Sequence, residues 1–352
     1  MKKIINRNTL KKLSKQVNCE PLPLDELDEF CEKNQHYSER ELTAKIWKDF
    51  GMFNYDSRCQ VITFFTTKGG VLKTTLAYNF ARIAALSGKR TLVVGLDMQC
   101  DITNSLQQPS RDEPESLKTA LEQLQSVRGL KSFFSKECQL EQVILQSDLQ
   151  NLHYIPESPD LTLLSDSISL INRREFWLRD KVVNTLLPKF DLIIFDCSPN
   201  WNRLTTNALC ASDVLISPVE CKINNFKNIE VFQELVGEIK ADLDLGFQTC
   251  FVPTRFSNSK KLSSEIYHWY LENLPGCIEG FIRESIESEE AIALQKSVVE
   301  YHPNSKVSKD MLNIVYKLSN ELKNKNLFCR PVPPNYQKYR LAQGDAIYGA
   351  HS

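Results

Sequence analysis

The chain lacks the features that would place it in several large classes. Its eleven cysteines (Cys19, Cys31, Cys59, Cys100, Cys138, Cys197, Cys210, Cys221, Cys250, Cys277, Cys329) are odd in number and never spaced C-x-x-C. Such scatter argues against a metal or iron–sulfur centre held by one chain. Most lie in apolar runs, as buried thiols do in reducing compartments. No stretch reaches the roughly 18 apolar residues of a membrane span. The lysine-bearing N-terminus has no apolar core of a signal peptide, so the expected compartment is the cytoplasm. A formal net charge of −1 supplies no global attraction to nucleic acid, and contact with DNA would need a local basic patch. No internal repeat is visible.

What is present is the composition of an ordinary soluble protein, 42% hydrophobic and 25% charged. At 352 residues the chain exceeds the about 250–300 over which one core usually grows, so a module beyond the main domain is expected. Texture divides it at residues 1–57, 58–327 and 328–352. The first segment begins basic and turns acidic, with helical patterns over 8–17, 24–33 and 38–50, the last opening like a capping box. It reads as a docking or dimerisation arm, or as a small helix-turn-helix DNA reader. The last, with Pro331, Pro333 and Pro334, reads as a loose tail.

Residues 61–75, Val-Ile-Thr-Phe-Phe-Thr-Thr-Lys-Gly-Gly-Val-Leu-Lys-Thr-Thr, organise the rest. A β-branched and aromatic run breaks into a glycine pair and then a helix-like run over 76–86. Strand, loop and helix in that order are the context of a phosphate loop, G-x-x-x-x-G-K-[ST], in which loop N–H groups cradle phosphates, a lysine reaches the β/γ oxygens and a hydroxyl meets Mg²⁺. Unpaired N–H groups and the macrodipole make the helix start attractive to anions. The match is imperfect: Lys73 and Thr74 hold the Lys-[Ser/Thr] places, Leu72 stands where the last Gly is expected and Thr67 where the first would be. A second lysine, Lys68, sits five residues before the first.

Arg90 to Asp97 reads as a buried strand ending in a carboxylate, which completes a βαβ unit and brings Asp97 to the rim that carries the phosphate loop. Helical periodicity surrounds Leu117 to Leu124 and Leu140 to Ile144, a short strand covers 152–156, and a helix passes through Arg173, Trp177, Val182 and Leu186 to Pro188. His153 reads as structural. The apolar run over 190–199 delivers Asp196 at a strand end, where a Walker B carboxylate would hold Mg²⁺ opposite Thr74; Asp191 reads as a turn residue. Strands at 214–219, 246–253 and 281–282 alternate with helices near 229–239, after Lys260, and over 305–322. This alternation predicts an α/β fold, a P-loop NTPase with a mostly parallel twisted sheet flanked by helices and a short helical N-terminal extension. Ligands in such sheets bind beyond the carboxyl ends of the strands.

Four ordered segments resemble the ParA/MinD ATPases, and within them the ParA-type DNA-partition ATPases. Lys68-Gly69-Gly70-Val71-Leu72-Lys73-Thr74-Thr75 is similar to their deviant Walker A loop, Leu96-Asp97-Met98-Gln99 to their Asp-Pro-Gln turn, and Asp196-Cys197-Ser198-Pro199 to their Walker B. Ile282-Arg283-Glu284-Ser285, with Ser297-Val298, Tyr301, Pro303 and Ser305, is similar to their C-terminal run. The resemblance covers roughly residues 58–325. It implies a homodimer that sandwiches ATP and Mg²⁺. In it Lys68 would reach the partner's phosphates, Lys73 would hold the β/γ-phosphates, Thr74 and Asp196 would hold Mg²⁺, and Asp97 would position the attacking water. It further implies non-specific DNA binding by the ATP dimer, stimulation by a ParB-like centromere-binding partner, slow hydrolysis and a nucleoid-associated location. Lys260, Lys261, Lys296, Lys306, Lys309 and Lys317 are the candidates for phosphate contact, against the alternative that each is a solvated charge.

The chain departs from the family at Gly95, where another Asp is frequent, at Met98 in place of Pro, at Asp101 in place of Asn, and at Ser198 in place of Pro, which points to altered hydrolysis. A membrane-cycling relative would need a basic amphipathic C-terminal helix, which residues 327–352 do not suggest. The other open reading is a nucleotide-switched repressor with little or no turnover.

Overall fold

The computed structural model describes residues 59–107, 127–158 and 160–324. The extension over 1–57, the periodicity at 117–124 and the tail over 328–352 lie outside the described residues.

Among the described residues eight strands form one sheet: β1 (Gln60–Phe64), β2 (Thr91–Leu96), β3 (Leu145–Gln146), β4 (Leu152–Ile155), β5 (Leu192–Cys197), β6 (Val214–Glu220), β7 (Gln248–Phe256) and β8 (Ile282–Arg283). Their order is β3-β4-β2-β5-β1-β6-β7-β8, and every pairing is parallel except β3 with β4. The strand feeding the glycine loop is thus central, between the strand that ends in Asp196 and Cys197 and β6. Residues of β1, β2, β5 and β6 are buried throughout, as both faces of a parallel sheet require.

Alternation along the strands feeds two cores. Ile62, Phe64, Leu192 and Ile194 pack on one face with Leu76, Phe80, Met311 and Val315. Val61, Phe65, Ile193 and Phe195 pack on the other with Leu178, Val182, Ala208 and Phe232. The covering helices are α1 (Lys73–Leu86), α2 (Asp101–Leu106), α3 (Leu130–Phe134), α4 (Leu161–Ile168), α5 (Arg203–Ala211), α6 (Phe226–Leu243), α7 (Lys261–Asn273), α8 (Ile286–Ala293), α9 (Val298–Tyr301) and α10 (Lys306–Asn324).

α1 is buried along almost its whole length, and its small residues Ala77, Ala81, Ala84 and Ala85 let it lie close on the sheet. It also carries a fully buried cation. Arg82 donates through Nη1 and Nη2 to Asp148 at 2.8 and 3.0 Å, and through Nε to Glu300 at 2.8 Å. Glu300 closes a capping box with Ser297 at the start of α9. Burial opposes the charge on Arg82, yet the two carboxylates outweigh it and hold the guanidinium above its ordinary range. The C-terminal Ser-Val-x-x-Tyr motif therefore works as a structural brace on the helix that follows the loop.

Several local expectations need correction. The helix expected to run through Trp177 to Pro188 is broken into a 3-10 turn (Arg174–Phe176), a π-helical stretch (Leu178–Val183) and a last turn at Asn184–Leu186. Leu140–Val143 is a 3-10 turn leading into β3, because its few residues cannot sustain an α-helix on an antiparallel edge. α6 extends beyond the predicted 229–239 at both ends. Asp191 is no mere turn residue: it is buried, accepts from the Arg90 backbone N–H at 2.9 Å and pairs with the Arg90 guanidinium at 3.1 Å.

Candidate functional site

Parallel strands deliver their carboxyl ends to one rim, and the sheet order sets what stands side by side there. Asp196 is paired in register with Phe64 of β1 on one side and Gly95 of β2 on the other. The glycine loop after β1, Asp97 after β2 and Asp196 in β5 are therefore brought together by strand pairing alone.

The loop itself turns through two left-handed residues, Gly70 at φ 72° and Leu72 at φ 67°. Glycine takes that conformation freely; Leu72 does so at a steric cost. It is nevertheless the N-cap of α1, a 14-residue helix whose first turn has neither a side-chain cap nor an acidic residue. Its opening N–H groups are thus left to an external acceptor. Two residues of β7 clamp the loop from behind. Arg255 donates through Nε to the Gly70 carbonyl at 2.6 Å, and Thr254 donates through Oγ1 to the Val71 carbonyl at 3.2 Å. Nothing lies within 4 Å of a Cβ at Gly69, so that residue is open to the exterior.

Lys73, Thr74 and Asp196 converge. Lys73 Nζ donates to Asp196 Oδ1 at 2.6 Å and Thr74 Oγ1 donates to Asp196 Oδ2 at 2.8 Å. Asp196 is fully buried and Lys73 nearly so. Burial disfavours the Lys73 charge, but the facing Asp196 carboxylate overrides it and holds the ammonium above its usual range. A hydroxyl and a carboxylate sharing one point are hard oxygen donors of the kind Mg²⁺ takes together with water and phosphate oxygens. The donor set fits that ion.

Lys68 is placed apart from this cluster. It bonds to Glu220 at the end of β6 and keeps 30% of its side-chain surface. Glu220 also faces Arg255 Nε at 3.2 Å and Lys222 Nζ at 3.6 Å, so three cations share one nearly buried carboxylate. Asp97 is nearly buried; its Oδ1 accepts from the Gln99 N–H at 3.2 Å, and its charge acts on Lys73. Val71 is buried in the loop and Thr75 opens α1 beside Thr74. Among the departures, Met98 is exposed, Asp101 is the first residue of α2, and the Ser198 hydroxyl accepts from Asn202 Nδ2 at 3.2 Å. Of the basic candidates, Lys317 pairs with Glu279 and Lys261 with Glu265, whereas Lys260, Lys296, Lys306 and Lys309 are exposed.

Thr254, Arg255, Glu220 and Glu157 join the site without belonging to any of the sequence motifs. Glu157 follows β4, is 2% exposed, and lies against the Asp97 loop. Its signal was its position, an acidic residue just beyond the carboxyl end of a parallel strand.

A family model described as an AAA domain matches residues 59–248. The chromosome partitioning protein ParA of Myxococcus xanthus is 26% identical over 254 residues, 70% of this chain and 83% of that protein. The virulence plasmid ParA family protein pGP5-D of Chlamydia psittaci is 26% identical over 268 residues, 75% of this chain and 95% of its own length. A Borrelia burgdorferi structure described as a plasmid partition protein bound to AMPPNP shares the fold, with a TM-score of 0.61 at 22% identity over 75% of this chain and 99% of that one. On the match to the AAA domain, the two ParA relatives and the loop geometry above, the chain belongs to the ParA-type ATPases of the P-loop class.

Proposed function

We propose that the protein is an ATP-dependent dimerising, DNA-binding ATPase that partitions plasmid or chromosomal DNA with a ParB-like centromere-binding partner, in the cytoplasm and on the nucleoid. The observation that carries this reading is the separation of the two loop lysines. Lys73 is buried on Asp196, within the phosphate cluster, while Lys68 stands half a loop away on Glu220 with part of its surface open. In this reading one lysine serves the chain's own nucleotide, and the other would leave Glu220 to serve a second copy's.

In this account the opening N–H groups of α1 and the loop backbone bind the phosphates, and Lys73 neutralises the β/γ oxygens. Thr74 and Asp196 would hold Mg²⁺, which when bound would supply positive charge beside the phosphate oxygens. Asp97 orients the attacking water. Lys68 adds positive charge from across the dimer, in the manner of a finger residue supplied in trans, a contribution of about 10³–10⁵ in rate where arginine plays that part. Phosphoryl transfer needs positioning and charge neutralisation more than covalent chemistry, and the rim provides both. DNA phosphates would be met by the exposed Lys260, Lys296, Lys306 and Lys309. No helix among the described residues is long and apolar enough to cross a membrane.

The test is DNA binding by the full chain with ATP and with ADP across a salt series. The reading predicts ATP-dependent affinity falling steeply with salt. Equal affinity with either nucleotide would contradict it, and tight ATP binding without turnover, with or without DNA, would favour the repressor reading.

A further inference from the structure

We propose that Glu157 is a positioning residue for ATP hydrolysis, fixing the Asp97 loop in place from the neighbouring strand. The inference rests on the reading that Asp97 orients the water.

Glu157 follows β4, which pairs with β2 along Thr91 to Val94. Its side chain bridges the two ends of the loop that carries Asp97. Oε1 accepts from the Asp97 N–H at 3.3 Å and Oε2 accepts from the Thr103 N–H at 3.2 Å. Its own N–H donates to Thr103 Oγ1 at 2.7 Å. Between those anchors the loop passes through Cys100 at φ 58°, and α2 has no side-chain cap from its own N-terminal residue. One carboxyl thus fixes both the backbone of Asp97 and the first turn of the helix behind it.

The space that Glu157 occupies explains Gly95. A Cβ on Gly95 would lie 2.1 Å from Glu157 Cγ, 2.5 Å from Cδ and 2.8 Å from Oε1. The side chain lies flat on the bare strand, and no other residue at 95 leaves room for it. Positions 95 and 157 compete for one buried pocket, and the Glu157 carboxyl fills it from β4. Gly95 is itself paired with Asp196, so the pocket adjoins the Mg²⁺ position. Burial, helped by the Asp196 charge, pushes the Glu157 carboxyl up to about 8 despite the N–H bonds it accepts. Holding such a group in the interior disfavours the fold, while a Leu or Met would fill the same volume without that penalty.

The experiment is steady-state ATPase measurement of the full chain with DNA, paired with titration of a fluorescent ATP analogue, on four variants. Glu157→Ala should lower kcat about tenfold or more, as loss of positioning does, while KM for ATP and analogue affinity stay within about twofold. Glu157→Gln keeps volume and one acceptor and should fall between it and the parent. Gly95→Asp alone should be crowded and impaired. Gly95→Asp combined with Glu157→Ala should regain turnover over both single variants, because the new carboxylate enters the vacated pocket. Asp97→Ala is the control. If Asp97→Ala halts turnover but Glu157→Ala and Glu157→Gln turn over like the parent, the inference about Glu157 falls and the reading of Asp97 stands. If Asp97→Ala turns over normally, the reading of Asp97 falls. A Glu157→Ala defect shared equally by kcat, KM and affinity, or a double variant no better than either single one, would mark Glu157 as structural support only and overturn the proposal.

Discussion

Lys73 Nζ lies 2.6 Å from Asp196 Oδ1, a bond that ties the loop after β1 to the end of β5 in the middle of the sheet. With Thr74 on the other carboxylate oxygen at 2.8 Å, three side chains from two elements form one buried polar knot. Under the proposed function its members would serve phosphate and Mg²⁺ binding, and their bonds also hold the loop against the sheet.

Replacing Lys73 by Ala should therefore do two things. ATP affinity should drop by at least about 100-fold, because the β/γ charge loses its neutraliser. Stability should also fall, by about 3–5 kcal/mol, because Asp196 is left as a buried carboxylate without its cation. Nucleotide titration and chemical denaturation check the two separately, and ATP affinity like the parent's would contradict the loop assignment.

Leu72 sits at φ 67°, where a side chain is strained and the usual motif has glycine. Leu72→Gly should thus be far less damaging than glycine substitution normally is, staying within about 1 kcal/mol of the parent and binding ATP normally. Leu72→Val, β-branched at the same φ, should cost more than Leu72→Gly. The order of the two melting temperatures decides, and the reverse order would contradict the strain.

Arg82 is fully buried between Asp148 and Glu300. Arg82→Ala removes the cation that Asp148 and Glu300 share, and the expected loss is about 3–5 kcal/mol in denaturant unfolding. A loss under about 1 kcal/mol would mean the brace between α1 and α9 carries little.

The pH dependence of stability has a defined sign at Glu157. Its folded-state value of about 8 lies above the ordinary 4.5, so between those limits the folded chain binds the extra proton. Its contribution is fully present at pH below 4.5, declines as pH rises toward 8, and changes no further above that. The parent should lose up to about 1.4 kcal/mol per pH unit in this window relative to Glu157→Gln. Parallel profiles for the two proteins would contradict the raised value.

Much of this was legible in the sequence, for physical reasons. The order of strand, glycine loop and helix needs only local propensity, and the carboxylates Asp97 and Asp196 announce themselves by ending apolar runs. Parallel pairing then brings strand ends to one rim. What was not legible depends on which strands become neighbours. Nothing local says that β4 lies beside β2, so Glu157 could not be set over Gly95. The clamp of Thr254 and Arg255 on the loop, and the parking of Lys68 on Glu220, likewise require the order β1-β6-β7. The broken helix over 174–186 follows the same rule: its apolar spacing suits an α-helix, but in the fold it packs against α5 and takes 3-10 and π-helical turns.

The most direct test of the account is the mass of the full chain in solution with ATP and Mg²⁺, compared for Asp97→Ala and for Asp97→Ala combined with Lys68→Ala. Asp97→Ala should retain nucleotide and sediment at twice the 40.5 kDa chain mass with ATP, and as a monomer with ADP. Removing Lys68 should return it to the monomer with ATP still bound. A monomeric Asp97→Ala at saturating ATP, or a dimer indifferent to Lys68, would contradict the account.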